Sequence, residues 1–108
     1  KAAGRRPVWL CDPMHGNTST TSTGIKTRKF GNVLQELLRS ADIHEAHGST
    51  LAGVHFELTG ENVTECLGGA AGVTEDDLNT AYRTLCDPRL NYEQAMELAF
   101  AAANRLSR

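Results

Sequence analysis

The spacing of hydrophobic residues in the first half of the chain predicts a strand followed by a helix. The apolar run Val8-Trp9-Leu10 stops at Asp12-Pro13, and proline disfavours a helical residue before it and donates no backbone hydrogen bond. We therefore expect a buried strand that ends at this point, followed by a polar loop rich in hydroxyl groups. Apolar residues then recur at helical spacing from Phe30 to Ala41, which predicts an amphipathic helix with Gly48 as its natural stop.

A second strand is predicted over residues 53–59, because hydrophobic and polar residues alternate strictly there. One face carries Val54, Phe56 and Leu58, and the other carries His55, Glu57 and Thr59. The following stretch, residues 61–72, has three glycines and no hydrophobic period. This composition predicts a loop with tight turns.

The last third of the sequence predicts two more helices and a short strand between them. Thr74 precedes three acidic residues, which favours a helix start leading through Leu78 to Leu85. Leu85-Cys86 then runs into Asp87-Pro88, the same pattern that ends the first strand, so a very short strand is expected there. Asn91 and Gln94 form a capping-box pattern before the apolar stripe of a closing helix that reaches Leu106.

The resulting order, strand and helix alternating three times, is typical of a parallel α/β fold. Both faces of a parallel sheet are normally covered, so the polar face of the second strand needs an interior to point into. The interior of a (β/α)₈ barrel provides one, and its active site lies at the carboxyl ends of the strands. We expect an α/β fold made of three βα units of such a TIM barrel, with residues 1–108 as a single segment, because a complete barrel takes about 250 residues.

Composition and charge exclude several functional classes. The chain has 108 residues, of which 40% are hydrophobic and 22% charged, as in one ordinary globular domain. The formal net charge of −2 argues against a nucleic-acid partner.

No apolar run approaches the roughly 18 residues of a membrane span, and the first residues lack the apolar core of a signal peptide. No membrane partner and a cytoplasmic location are therefore expected. Three cysteines without CxxC spacing argue against a disulfide framework or a zinc ribbon.

Three candidate metal ligands follow the predicted strands. His15, Glu57 and Asp87 each lie at or just after the carboxyl end of one strand, so in a barrel they meet at one mouth. One imidazole and two carboxylates suit a divalent ion such as Mn²⁺, Fe²⁺, Co²⁺ or Zn²⁺. The alternative is that each residue caps a loop. Lys26 and Arg28 are likewise either solvated residues before a helix or donors to a phosphate beside the hydroxyl-rich loop.

Long motifs give the chain a family resemblance that covers nearly all of its length. The motifs run from Trp9 to Thr18, from Ser22 to Arg28, from Gly53 to Gly69, and from Cys86 to Asn91 with Tyr82, Gln94 and Glu97 around the last. In this order and spacing they resemble the class II 3-deoxy-D-arabino-heptulosonate 7-phosphate (DAHP) synthases. The resemblance implies condensation of phosphoenolpyruvate with erythrose 4-phosphate to DAHP and phosphate, the first step of the shikimate pathway of aromatic amino acid biosynthesis.

The same resemblance implies which residues act and which are missing. It makes His15, Glu57 and Asp87 three of four ligands of a divalent metal, manganese among the candidates, and gives no organic cofactor. The fourth ligand in the family is a cysteine on an early barrel strand, and the resemblance does not assign Cys11 to the metal. The chain would be the C-terminal part of the catalytic barrel with the earlier units absent. We therefore expect the isolated chain to be inactive.

Further roles are expectations of the same kind. Lys26 and Arg28 would offset the charge of substrate phosphate. His55 would orient Glu57 or simply pack beside it, and Cys86 would be a redox handle next to Asp87. Open sheet edges favour a homo-oligomer or association with the rest of the barrel. Two alternatives remain open: a non-catalytic fragment or partner subunit of a full-length synthase, and an unrelated metal-dependent hydrolase.

Overall fold

A computed structural model describes residue 4 and residues 6–107, and it shows an α/β arrangement of short strands and two long helices. Single helical turns of the 3₁₀ type occur at His15–Asn17 and at Glu75–Asp77. The other elements, in chain order, are β1 (Trp9–Cys11), β2 (Thr18–Thr20), β3 (Lys26–Arg28), α1 (Phe30–Ala46), β4 (Leu51–Val54) and α2 (Tyr92–Leu106).

The first and second predicted strands form a parallel pair, β1 with β4, and α1 connects them. The strand β4 begins before residue 53 and ends at Val54, but the next amide still follows the ladder, because His55 N donates to Cys11 O at 2.8 Å. The expected burial of the first strand is wrong. Val8, just before β1, is 75% exposed and Leu10 is 64% exposed, whereas Cys11 at the end of the strand is buried.

The hydroxyl-rich stretch, which was expected to be a loop, folds into an antiparallel hairpin. In this hairpin β2 pairs with β3, with Thr18 opposite Arg28 and Thr20 opposite Lys26. Strand formation fits the two β-branched threonines of β2, Thr18 and Thr20, which favour an extended backbone. Lys26 and Arg28 are two residues apart on β3 and so lie on the same face of the strand. Lys26 is exposed, whereas Arg28 is fully buried.

The helix predicted from Phe30 is confirmed as α1, and it ends as expected before Gly48. Ser49 N donates to His44 O at 2.9 Å, and Gly48 has a φ of 72°, which a glycine adopts without steric cost. The closing helix is confirmed as α2. Neither helix is both long enough and apolar enough to cross a bilayer, for the part of the chain that the structure describes. The two helices share one apolar core, formed by Cys11, Met14, Phe30, Val33, Leu37, Ala41, Leu51, Cys66, Leu90, Ala95, Leu98 and Ala102.

The helix predicted after Thr74 is wrong beyond its first turn. The Asp77 carboxylate accepts hydrogen bonds from Thr74 N and Thr74 Oγ1, at 2.8 and 2.9 Å, so the local start signal does form. The chain then pairs with a different segment, because Ala81 N donates to Thr64 Oγ1 at 2.9 Å and Thr64 N donates to Ala81 O at 3.0 Å. These long-range bonds satisfy backbone groups that a helix would have used.

The short strand predicted at Leu85-Cys86 is also wrong. A parallel contact occurs instead at Leu90, which bridges Leu58. There, Leu90 N donates to Glu57 O and Thr59 N donates to Leu90 O, both at 3.0 Å. The α/β class is therefore confirmed, whereas the described residues contain two helices of several turns rather than three. The TIM barrel stays a prediction.

Candidate metal centre

The three predicted ligands lie together although they come from distant parts of the chain. His15 opens the helical turn after β1, Glu57 follows β4 by three residues, and Asp87 lies in the irregular segment before α2. One ligand atom from each of the three lies within 4.8 Å of the other two. His15 Nε2 lies 2.7 Å from Glu57 Oε1. We call these three residues the triad.

Asp12 holds the His15 imidazole from its far side. Its Oδ2 lies 2.6 Å from His15 Nδ1, and its Oδ1 accepts the amides of Met14 and His15 at 3.0 and 3.2 Å. Burial would raise the pKa of Asp12, but the hydrogen bonds from His15 and the two amides outweigh burial and lower it. A carboxylate on one ring nitrogen fixes the ring and leaves the other nitrogen for a ligand, as is usual for metal-binding histidines. Sequence reasoning assigned Asp12 only to the end of a strand, although its spacing from His15 was a usable signal.

Glu57 is held by the buried guanidinium of Arg28. Arg28 Nη1 donates to Glu57 Oε2 at 2.6 Å and to Pro88 O at 2.8 Å, and Arg28 Nε donates to Thr18 Oγ1 at 2.9 Å. Nη2 is buried and has no hydrogen-bond partner among the described residues. Arg28 thus connects β2, the Glu57 segment and the residue next to Asp87. Its contacts keep one Glu57 oxygen occupied and turn the other towards His15.

Asp87 contacts the exposed cation of the hairpin. Lys26 Nζ donates to Asp87 Oδ1 at 3.1 Å. This hydrogen bond is the main reason that the pKa of Asp87 lies below its ordinary value, and burial opposes it. The Lys26 ammonium therefore lies at the open side of the triad, where an anionic ligand can approach it.

The other candidates lie near the triad but do not complete it. The His55 ring stacks on the His15 ring with centroids 6.2 Å apart. Cys86 is exposed beside Asp87, and its sulfur lies 3.9 Å from Thr84 Oγ1. Cys11 is buried against α1, where its Sγ donates to Ser40 Oγ at 3.5 Å, and burial raises the pKa of this thiol.

One buried acid near the site was missed by sequence reasoning. The Glu65 side chain is fully buried and accepts hydrogen bonds from three backbone amides and from the Arg89 guanidinium. Burial alone would raise the pKa of Glu65, but Arg89 and the amides outweigh burial and lower it. No local pattern in the sequence marked Glu65, because the backbone amides that it binds lie 18 to 24 residues further along the chain.

The donor set fits a divalent ion. An imidazole nitrogen and two carboxylates are ligands shared by Mn²⁺, Fe²⁺, Co²⁺ and Zn²⁺, and the side chains behind them are already fixed by Asp12, Arg28 and Lys26. A site with preoriented ligands loses little conformational freedom on binding. The triad therefore offers a donor set that is chemically suited to such an ion.

Comparison with known proteins gives the ancestry of the chain. The class-II DAHP synthetase family matches residues 1–103. The phospho-2-dehydro-3-deoxyheptonate aldolase of Neurospora crassa is 59% identical over 100 residues, which are 93% of this chain and 21% of that protein. The enzyme of the same name from Mycolicibacterium smegmatis is 51% identical over 106 residues, 98% of this chain and 23% of that protein. The chain thus spans about a fifth of the length of these curated relatives. The sequence and its matches show that the chain belongs to the class-II DAHP synthetase family.

Proposed function

We propose that the complete gene product condenses phosphoenolpyruvate with erythrose 4-phosphate to DAHP and phosphate, and that the triad holds its divalent metal. The observation that carries this proposal is the meeting of His15, Glu57 and Asp87, with ligand atoms within 4.8 Å of one another. Two relatives named phospho-2-dehydro-3-deoxyheptonate aldolase support the reaction.

The proposed ion, one of Mn²⁺, Co²⁺, Fe²⁺ or Zn²⁺, supplies Lewis acidity towards the aldehyde oxygen of erythrose 4-phosphate. The family resemblance implies that C3 of phosphoenolpyruvate attacks the aldehyde carbon, water adds at C2, and phosphate leaves by C–O cleavage. Within this chain, Lys26 is the residue placed to donate to an anionic substrate, because its ammonium lies exposed beside Asp87. Arg28 is fully buried, so its contribution is to hold Glu57 and the Pro88 carbonyl. His55 remains a candidate for orienting the site from the face of the His15 ring.

The parallel contacts support the proposal that the chain forms the C-terminal part of a (β/α)₈ barrel. In the pair β1–β4, parallel backbone brings the carboxyl ends that lead to His15 and Glu57 to one side. The parallel bridge Leu58–Leu90 aligns the segment that carries Asp87 with the one that carries Glu57. The exposed apolar side chains of β1 fit a strand that other units of the barrel cover. The remaining metal ligand and most contacts to phosphoenolpyruvate would come from those units. A cytoplasmic, homo-oligomeric enzyme without nucleic-acid or membrane partners is part of the same proposal.

Substitution of the triad in the complete gene product tests the proposal. We expect His15→Ala, Glu57→Ala and Asp87→Ala each to lower bound metal and synthase activity together, measured by metal analysis and by phosphate release in the presence of both substrates. Asp76→Ala, an exposed acid on the helical turn Glu75–Asp77, is the matched control and should change neither. Full activity and metal content in all three triad variants would refute the assignment.

The same assay separates the alternatives. A synthase releases phosphate from phosphoenolpyruvate only when erythrose 4-phosphate is present, whereas a hydrolase releases it from its substrate alone. The isolated 108-residue chain should form no heptulosonate, and product formation by it would contradict the proposed need for the remaining units. For Cys86, a redox role predicts that oxidation of the complete protein changes its metal affinity, and an unchanged affinity would dismiss that role.

A further inference from the structure

The triad residue Asp87 lies on a segment with no regular structure. Between the turn Glu75–Asp77 and the bridge at Leu90, the described backbone forms neither helix nor strand. Leu85 and Cys86, directly before Asp87, are exposed, so the apolar core does not hold this side of the segment. A ligand on such a backbone keeps its place only when other contacts fix the chain on both sides of it.

The Glu65 carboxylate supplies contacts on both sides of Asp87. Glu65 Oε2 accepts the amides of Arg83 and Thr84, at 3.0 and 2.9 Å, before Asp87. Glu65 Oε1 accepts the amide of Arg89 at 2.8 Å, after Asp87. The Arg89 guanidinium also binds both oxygens, with Nε at 3.1 Å and Nη2 at 2.9 Å. One buried carboxylate therefore receives five hydrogen bonds from the two flanks of a single ligand-bearing segment.

Glu65 is itself anchored to the strand that carries the cations of the site. Thr27 Oγ1 donates to Glu65 O at 2.8 Å, and Leu67 N donates to Arg28 O at 2.8 Å. The flanks of Asp87 are thereby tied to β3. This is the strand whose Lys26 donates to the Asp87 carboxylate and whose Arg28 donates to Pro88 O.

We infer that Glu65 is a positioning residue that fixes Asp87 for ion binding by holding both flanks of residues 83–89. This inference rests on the proposed metal role of the triad. The charge and the two oxygens are both needed, because the two flanks bond different oxygens. A glutamine keeps one acceptor oxygen and presents a donor nitrogen to the other set of donors, so it can hold one flank but not both.

Metal affinity in the complete gene product tests the inference, with Co²⁺ as the probe because its visible absorption reports its ligands. We expect Glu65→Gln to weaken Co²⁺ binding about 10- to 100-fold, the range typical of residues that orient metal ligands. The absorption band should change as it does in Asp87→Asn. Glu61→Gln, an exposed acid nearby in the same stretch, is the matched control and should leave affinity and spectrum unchanged.

A double variant distinguishes positioning from general stability. If Glu65 acts through Asp87, Glu65→Gln combined with Asp87→Asn should bind Co²⁺ no more weakly than Asp87→Asn alone. By contrast, the losses of Co²⁺ affinity caused by His15→Ala and by Glu65→Gln should multiply when the two substitutions are combined. Effects of Glu65→Gln and Asp87→Asn that multiply, or wild-type affinity in Glu65→Gln, would overturn the inference while leaving the triad assignment intact. Wild-type affinity in Asp87→Asn would instead refute the triad assignment, and this inference with it.

A milder variant covers the case in which Glu65→Gln does not fold. Arg89→Lys keeps a positive charge beside Glu65 but loses the paired donors of the guanidinium. We expect it to weaken Co²⁺ binding several-fold and to show the same lack of additivity with Asp87→Asn. An unchanged affinity in folded Arg89→Lys, or an effect that multiplies with that of Asp87→Asn, would overturn the inference.

Discussion

Two regions of the molecule deliver the triad by different physical means. Residues 9–54 contain all four strands and α1, and their backbone groups bond mainly within those elements. Residues 55–91 contain one helical turn and isolated bridges. Their backbone is held by scattered backbone hydrogen bonds and also by buried polar side chains such as Glu65 and Asn91. His15 comes from the first region, and Glu57 and Asp87 come from the second. Apolar packing and buried polar contacts are thus alternative ways to place a ligand, and each is disrupted by a different kind of substitution.

The largest loss of stability is expected when a side chain of the apolar core beneath the first region is shortened. Leu37 on α1 is completely buried in the core shared with α2. We expect Leu37→Ala to lower the free energy of unfolding by about 2–5 kcal/mol, because it removes buried methyl groups and leaves a cavity. Urea unfolding measures this change. Ile43→Ala on the same helix, where the side chain is 58% exposed, should change it by less than about 0.5 kcal/mol. Equal losses in the two variants would contradict an apolar origin of this region's stability.

The difference between the two regions also explains which parts of the fold could be predicted from the sequence. The helix from Phe30 and the strand at Trp9 follow from local hydrophobic periodicity, and both are confirmed. The signal at Thr74 describes only a first turn, and whether a helix continues depends on distant partners. Ala81 bonds Thr64, 17 residues earlier, and Arg89 bonds Glu65, 24 residues earlier. Such pairings leave no periodic pattern, so the helix after Thr74 and the strand at Leu85-Cys86 were predicted incorrectly. The loop with tight turns predicted over residues 61–72 is confirmed.

The candidate site was more predictable than the backbone that carries it. His15, Glu57 and Asp87 were expected to meet because each follows an extended segment, and their ligand atoms do meet. The reason given for Asp87 was nevertheless wrong, since no strand precedes it directly. The supporting residues Asp12 and Glu65 were missed. The spacing of Asp12 from His15 was a usable signal, whereas the amides that donate to Glu65 are brought to it only by the fold.

Acid should weaken the second region through Glu65. The folded-state pKa of Glu65 is lowered. Burial acts to raise this pKa, but the hydrogen bonds from Arg89 and the amides outweigh burial. A depressed pKa means that Glu65 contributes stability above the unfolded value of about 4.3, and that this contribution disappears as pH falls through the folded pKa. The unfolding free energies of the wild type and Glu65→Gln should therefore converge over that acid range. The loss should be smaller than for Leu37→Ala, because a protonated carboxyl group still accepts hydrogen bonds. A pH-independent difference between the two proteins would contradict this prediction.

The junction between the second region and α2 offers a smaller and sharper test. Asn91 Oδ1 accepts the amide of Gln94 at 2.8 Å, and Asn91 Nδ2 donates to Val63 O at 3.1 Å. We expect Asn91→Ala to cost about 1–2 kcal/mol of unfolding free energy, because it removes a helix cap and leaves a buried carbonyl unpaired. Asn91→Ser keeps a side-chain oxygen that can cap the helix and loses the bond to Val63, so its loss should be intermediate. Thermal unfolding measures both variants, and equal losses in the two would show that the cap contributes nothing.

The smallest expected effect compares two glycines of the second region that share a backbone conformation but differ in their surroundings. Gly69 and Gly72 have φ values of 82° and 70°, so alanine at either position costs about 1–2 kcal/mol in strain. A Cβ at Gly69 would lie 3.0 Å from Gln94 Cγ, whereas a Cβ at Gly72 meets nothing within 4 Å. Gln94 cannot yield freely, because its side chain bonds Cys66 O and Asn91 N. Gly69→Ala should therefore destabilise the protein by about 1 kcal/mol more than Gly72→Ala, measured by urea unfolding. An equal loss in both would mean that the polar contacts of this region adjust to a methyl group, and that it is less rigid than its hydrogen bonds indicate.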